Sequence, residues 1–322
     1  MRVPARSYLA ALFAVASAAA CSSAGTSNRY VGGGGGAGGS GGDLGIDPGG
    51  AGSGGGLGFD AGVSAGDGCS DAAKKIYLFT DSAQLYSFDP PSKTIKLVGQ
   101  LQCPAGFLAT PNSMAVDRSA TAWVNYSDGS VFKVDTATAA CTPTTYAPNP
   151  FGWSQMGMGF SSEAGNPTAE RLFVASTSGG GLASITMPGL ALQTIANFSG
   201  SLSGLSPELT GTGDGRLYGF FVSTGNQDAV VARIDKATAA TSEEAPQSGI
   251  NNVGAWAFSF WGGDFYLYTA TTGSTSIVTR YHPADATSPA STSTYMSVAQ
   301  LPNGIRIVGA GVSTCAPTKP PA

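Results

Sequence analysis

Charge is scarce in this chain. Lys, Arg, Asp and Glu together make up 11% of its 322 residues, the net charge is −4, and there is one histidine, His282. With no basic patch and no stripe of Arg interleaved with aromatics, a nucleic-acid surface is not expected. Metal-type spacings are missing too: there is no C-x-x-C and no Asp-x-Asp-x-Asp run. Neither a zinc nor a calcium site is therefore expected, and no cofactor is implied. Beyond the first twenty residues no long apolar run occurs, so nothing else is expected to span a bilayer. The Gly-His and Trp-Asp pairs of WD40 repeats are absent, and the kelch double glycine does not repeat through the chain.

What the chain does have begins with a signal. Met1–Ala20 carries Arg2 and Arg6, then an apolar stretch from Leu9, then Ala18-Ala-Ala before Cys21. A basic start, a short apolar core and a small-residue end make a secretory signal peptide. The Ala-Ala-Ala-Cys ending resembles a bacterial lipobox, which makes Cys21 the expected lipidation site. Ser22 after it resembles outer-membrane sorting. Residues 21–68 are dominated by Gly, Ser and Ala. Such a segment cannot bury enough apolar surface to offset its ordering entropy, so it reads as a tether with an r.m.s. reach of roughly 35–40 Å.

From Cys69 to Ala322 the sequence repeats. Ser113–Cys141 shows the unit best: short β-branched and aromatic runs (SMAVD, AWVNY, VFKVD) separated by tight turns read as an antiparallel meander. Five segments, starting at Leu85, Val131, Leu182, Val231 and Val278, align without gaps. Their first residue is aliphatic, their third polar and their fourth apolar. Their spacing of roughly fifty residues, with no helical periodicity, points to an all-β fold: a single β-propeller of about five four-stranded blades. Blade one lacks an innermost strand, because 68–75 is too polar. Ile307–Thr314 supplies it, so a C-terminal strand closes the ring and removes an open sheet edge.

The domain keeps four cysteines, and four cysteines allow three pairings. Cys69 and Cys315 flank the two closing strands, so a Cys69–Cys315 bond is expected, worth about 4–5 kcal/mol in loop-closure entropy. Cys103 and Cys141 are the remaining pair, but they fall near opposite ends of neighbouring fourth strands.

The segments NSMAVDRSATAWVNYSDGSVFKVDTATAAC, SPELTGTGDGRLYGFF, AWAFSFWGGDFYLYT and RIVGAGVSTC resemble a group of exported β-propeller lipoproteins of Gram-negative bacteria. The resemblance runs from Cys69 to the end. It implies fold and export and carries no activity; attachment to the outer membrane or cell surface by a lipid anchor only is the expectation from the Cys21 ending and from the lack of a second apolar run.

Innermost strands line the channel of a propeller. Their first and third positions here read Ser113/Ala115, Gly157/Gly159, Glu208/Thr210, Ala257/Ser259 and Gly309/Gly311. Small residues suit a place where strands converge, and Glu208 alone breaks the column. A carboxylate facing a narrow channel needs a hydrogen bond, a counter-ion or water. Glu208 is therefore either a ligand contact or a structural latch. Asn112, Trp153 and Trp256 enter from the same face, although either Trp could instead pack between blades. His282 occupies the slot held elsewhere by Asp89, Asp135 and Asp235, and reads as a turn residue with no Ser and Asp to serve. The favoured function is a monomeric, surface-tethered binding module for a carbohydrate, peptide or protein. The alternative is an exported hydrolase or lyase working at the channel mouth, a fold-level analogy that would need a second acid beside Glu208.

Overall fold

A computed structural model describes residues 69–148, 152–223, 225–286, 288–297 and 305–321. The expected signal peptide, the Cys21 site and the tether lie outside the described residues. Twenty strands form five four-stranded antiparallel sheets, a five-bladed β-propeller. Blade one contains β1 (Ile76–Thr80), β2 (Gln84–Asp89) and β3 (Thr94–Gln100). Blade two is β4 (Pro111–Val116), β5 (Thr121–Tyr126), β6 (Val131–Asp135) and β7 (Cys141–Pro143). Blade three is β8 (Met156–Glu163), β9 (Asn166–Ser176), β10 (Leu182–Ile185) and β11 (Leu192–Ala196). Blade four is β12 (Ser206–Gly211), β13 (Leu217–Val222), β14 (Ala229–Ile234) and β15 (Thr241–Gln247). Blade five is β16 (Ala255–Trp261), β17 (Asp264–Ala270), β18 (Ile277–His282) and β19 (Ser291–Ser297).

The last strand, β20 (Ile307–Val312), completes blade one. It runs antiparallel to β1, with Ile76 opposite Val312 and Thr80 opposite Ile307. In the polar stretch before Ile76, Ala72–Lys74 form a single 3-10 turn and no strand. The seam is secured three further ways. Cys69 and Cys315 form a disulfide, Arg306 donates to Asp81 at 2.9 Å, and the Ser313 hydroxyl donates to the Ala73 carbonyl at 2.6 Å.

Second strands such as β1, β13 and β17 are buried along their whole length rather than on alternate residues. The reason is that each blade is covered on both faces by its neighbours, so both side-chain rows are apolar. The core accordingly divides into five main clusters, one between each pair of adjacent blades, and a small sixth of Ala73, Ala120 and Cys315 beside the Cys69–Cys315 bond. Tyr77 and Phe79 of β1 pack toward blade two with Met114 and Val124. Ile76 and Leu78 of the same strand pack toward blade five with Tyr266 and Tyr268.

The innermost strands adjoin one another around the ring, which explains the small column. A Cβ on Gly157 would stand 2.0 Å from the Pro207 carbonyl oxygen of blade four's inner strand, and one on Gly309 would stand 2.8 Å from the Met114 amide nitrogen. Real Cβ atoms do not approach backbone so closely.

The second disulfide is Cys103–Cys141, with Cα atoms 5.2 Å apart. The flat layout that put these cysteines at opposite strand ends omits twist. Adjacent strands rotate by roughly 20–25°, so the fourth strand of a blade turns well away from its first. The end of β3 thereby reaches the β6–β7 turn of the next blade, where a Cβ on Gly99 would stand 2.9 Å from that of Ala139.

Candidate functional site

Glu208 sits on β12 near the end where chain enters the innermost strands, 5% exposed. Its Oε2 accepts the Ser113 hydroxyl at 2.7 Å across the ring, and the Ser113 oxygen in turn accepts the Met158 amide at 3.2 Å. Glu208 thus ties blade four to blades two and three. Burial pushes its carboxyl well above the ordinary value of 4.5, against the lowering effect of the Ser113 hydroxyl and the Met158 amide. Desolvation is the largest influence, so burial favours the protonated form of this carboxyl.

Above Glu208 lies a cavity of about 220 Å³. Asn112, Gln155, Glu208, Trp256 and Arg306 line it, with Thr177 at its edge. Three of the four sequence candidates are therefore brought together. Trp153 is not among them. It is 5% exposed and packs between blades two and three with Trp123, Met158 and Phe160. Trp256 is half-buried and reaches the cavity while its body rests on the cluster between blades four and five. The Asn112 amide donates to Asn125 Oδ1 at 2.8 Å and to the Met156 carbonyl at 3.1 Å, which fixes its orientation at the cavity wall.

Arg306 was missed by the sequence reading. It is the residue before β20 and its guanidinium is held at the rim by Asp81. The clue available was its place, since the residues just before innermost strands are those that line a channel mouth. The loop before β4, pinned by the Cys103–Cys141 bond, exposes Phe107 fully and Leu108 to 85%. Asp117 lies at the opposite end of its strand, where it caps the β4–β5 turn through the Ser119 and Thr121 amides and accepts the Trp123 indole at 3.0 Å.

A larger cavity, about 800 Å³, is elsewhere: a cleft between blades four and five at the end away from Glu208. Tyr218, Val231, Phe260, Phe265 and Tyr281 form its apolar wall, and His282 stands at its edge. Here the expectation for His282 is corrected. It is the last residue of β18 rather than part of a turn, and its two ring nitrogens meet Asp264 at 2.7 Å and Ser288 at 2.8 Å. The strand register is the reason: Phe265 pairs with Tyr281, which sets Asp264 beside His282. The slot is equivalent to that of Asp135, whose carboxylate caps its own turn through Ala137 and Thr138, but the side chain does different work.

No protein-family model matches the chain, and no curated protein matches it. Among solved structures, it is similar to the extracellular domain of a proposed one-component system from Bacteroides thetaiotaomicron (13% identity, TM-score 0.39, covering 73% of this chain and 28% of that one). It thus spans less than a third of that protein's length. A protein of unknown function from Bacteroides caccae is similar at 9% identity and TM-score 0.39, over 68% of this chain and 72% of that one. An auxiliary nutrient binding protein from Bacteroides thetaiotaomicron is similar at 12% identity and TM-score 0.39, over 68% and 54%. Likenesses of this order carry no argument about what this chain binds. Among the described residues no helix is long and apolar enough to cross a membrane, and no group of three or more His, Cys, Asp or Glu could hold a metal ion.

Proposed function

We propose that this chain is an exported binding module, tethered through Cys21 and the Gly-rich segment, whose propeller takes a hydroxyl-rich ligand of the saccharide class at the channel mouth. The observation that carries the reading is the composition of the mouth cavity: one aromatic face (Trp256), two amides (Asn112 and Gln155), a buried carboxyl (Glu208) and a cation (Arg306) converge on about 220 Å³. A few fixed polar groups beside an aromatic surface suit a ligand with hydroxyls on its edges and an apolar face. Burial favours the protonated form of Glu208, and a protonated carboxyl both donates and accepts a hydrogen bond. The exposed Phe107 at the same end supports a ligand longer than the cavity itself.

The test is a glycan array probed with the full-length protein beside its Trp256→Ala and Glu208→Gln variants, with a peptide array in parallel. Binding to a glycan that Trp256→Ala loses at an unchanged melting temperature supports the proposal. Binding to peptides alone, or glycan binding indifferent to Trp256, refutes it.

A further inference from the structure

Blade five carries a second constellation that saccharide binding does not use. Asp264 opens β17 and is 4% exposed. Its Oδ2 receives the Arg280 guanidinium through Nε at 2.8 Å and Nη2 at 2.7 Å. Its other oxygen, Oδ1, faces His282 Nδ1 at 2.7 Å, and His282 Nε2 stands 2.8 Å from the Ser288 hydroxyl oxygen. With Asp264 accepting the Nδ1 proton, the imidazole tautomer is fixed and Nε2 is left as the acceptor turned to Ser288. Asp285 Oδ1 is also in reach of the Ser288 hydroxyl, at 3.1 Å, but the contact to the imidazole is shorter. Asp285 Oδ2 lies 3.5 Å from Nε2.

Two cavities meet at this histidine. One, of about 260 Å³, is lined by Arg280, His282, Ser288, Ser291 and Ser293. The other is the aromatic cleft of about 800 Å³, walled on this side by His282, Asp285 and Ala286. In the cleft, Phe265 stacks with Tyr281 at 5.9 Å between ring centroids and Tyr218 with Phe260 at 6.3 Å. A nucleophile with its base and the base's orienting acid, beside a large aromatic-walled cavity, is the arrangement that covalent acyl transfer requires.

We propose that Ser288, His282 and Asp264 form a nucleophilic triad that hydrolyses carboxylic esters with an apolar acyl group seated in the cleft between blades four and five. The Ser288 oxygen attacks the ester carbonyl carbon while its proton passes to His282 Nε2. The carbonyl electron pair moves to the oxygen, where the Arg280 guanidinium, lining the same pocket, faces the negative charge. Collapse of this intermediate breaks the ester C–O bond, and the departing alcohol takes the proton from Nε2, leaving acyl-Ser288. Water then attacks the acyl carbon and gives its proton to Nε2. Collapse releases the carboxylic acid and returns the proton to the Ser288 oxygen. Ser288 and His282 are the catalytic residues; Asp264 is a positioning residue, acting through the imidazole.

The experiment treats the full-length protein with a fluorescent fluorophosphonate and, separately, with p-nitrophenyl butyrate and p-nitrophenyl hexanoate. The expected result is a covalent adduct mapped to Ser288 by peptide mass spectrometry, and ester turnover with a lower KM for the hexanoate. Ser288→Ala, on a half-exposed loop residue, should keep the wild-type melting temperature, lose the adduct and lower turnover by at least about 10³-fold. Asp264→Asn should lower kcat on the order of 10⁴-fold through the wrong tautomer while KM holds, a split that a purely structural role would not produce. Absence of an adduct on Ser288 in folded wild-type protein, or hydrolysis by Ser288→Ala at the wild-type rate, overturns the proposal.

Discussion

Replacing Glu208 by Gln keeps the shape of the side chain and removes its proton. The carboxyl's ordinary value is 4.5, and burial raises it well above that in the folded protein. Below pH 4.5 both folded and unfolded states hold the proton, and the stabilising effect of the raised value is fully present. Above 4.5 the unfolded chain releases the proton while the folded protein retains it, so the folded state binds more protons and stability falls as pH rises toward the folded value. The slope contributed by this one group is at most about 1.4 kcal/mol per pH unit. For a domain of this size each kcal/mol moves the melting temperature by roughly 2–4 °C. Gln cannot titrate, and its carbonyl oxygen can still accept the Ser113 hydroxyl. The melting temperature of Glu208→Gln minus that of wild type should therefore climb by about 3–5 °C per pH unit from pH 4.5 upward, until the folded carboxyl itself ionises. Glu170, raised by its own burial, titrates in both proteins and cancels in the difference. Calorimetric melts from pH 4 to 8.5 with both disulfides intact make the measurement. If Glu208 were instead an ionised latch, its charge-assisted bonds to Ser113 and Met158 would be lost in the variant. Glu208→Gln would then be less stable by about 1–3 kcal/mol across the neutral range. That outcome refutes the upward shift attributed to burial.

The covalent clamp and the glycine column give further expectations. For the 246-residue separation of Cys69 and Cys315, loop-closure entropy comes to roughly 5.5 kcal/mol, so Cys69→Ser with Cys315→Ser should lower the denaturant midpoint more than the corresponding Cys103 and Cys141 pair. The latter closes a separation of 38 residues, worth roughly 4 kcal/mol by the same relation; an equal or reversed ranking in urea titrations counts against the seam as the weak point. Gly157→Ala drives a methyl to 2.0 Å from the Pro207 carbonyl and should cost at least about 1–3 kcal/mol, which a wild-type melting curve would contradict. Truncation before Ile305 removes β20 and leaves the β1 edge unpaired; recovery of a soluble protein with unchanged melting would show that closure is dispensable. Membrane-fraction localisation should be lost in Cys21→Ala, and release of the wild-type protein into the soluble fraction would remove the lipid anchor from the proposed function.

The fold was legible because period-2 strands and tight turns repeat. The third strands aligned from sequence at Val131, Val231 and Val278 fall within β6, β14 and β18. Closure was legible from a negative signal: the polar stretch before Ile76 could not supply an inner strand, and Ile307–Val312 does. Pairing of Cys103 with Cys141 was not legible, since it depends on the accumulated rotation of the fourth strand, which a flat register does not contain. Trp153 is a similar case. Sequence puts it on the correct face, but whether an aromatic there points at the channel or into the seam depends on how far apart two blades stand. Between blades two and three the gap is filled by Trp153 itself with Met158 and Phe160.

The two sites differ in how they are encoded. Glu208 stands out in a linear reading because every equivalent position is small, so a single column of the repeat exposes it. The Asp264, His282 and Ser288 constellation leaves no such trace: each residue is ordinary for its slot, an acid at a strand start, a polar residue at a strand end, a serine in a turn. Only the register makes them neighbours. Since Phe265 pairs with Tyr281, the residue before the first and the residue after the second are set side by side, and the turn that follows folds Ser288 back to within 2.8 Å of the ring. The same register, applied to the second and third strands of blade two, sets Thr121 opposite Asp135, a pair with no base. Blade five therefore departs from the repeat in chemistry while keeping its backbone. A rigid repeat permits this, because the strands that hold Asp264 and His282 are fixed by packing between neighbouring blades rather than by the site itself.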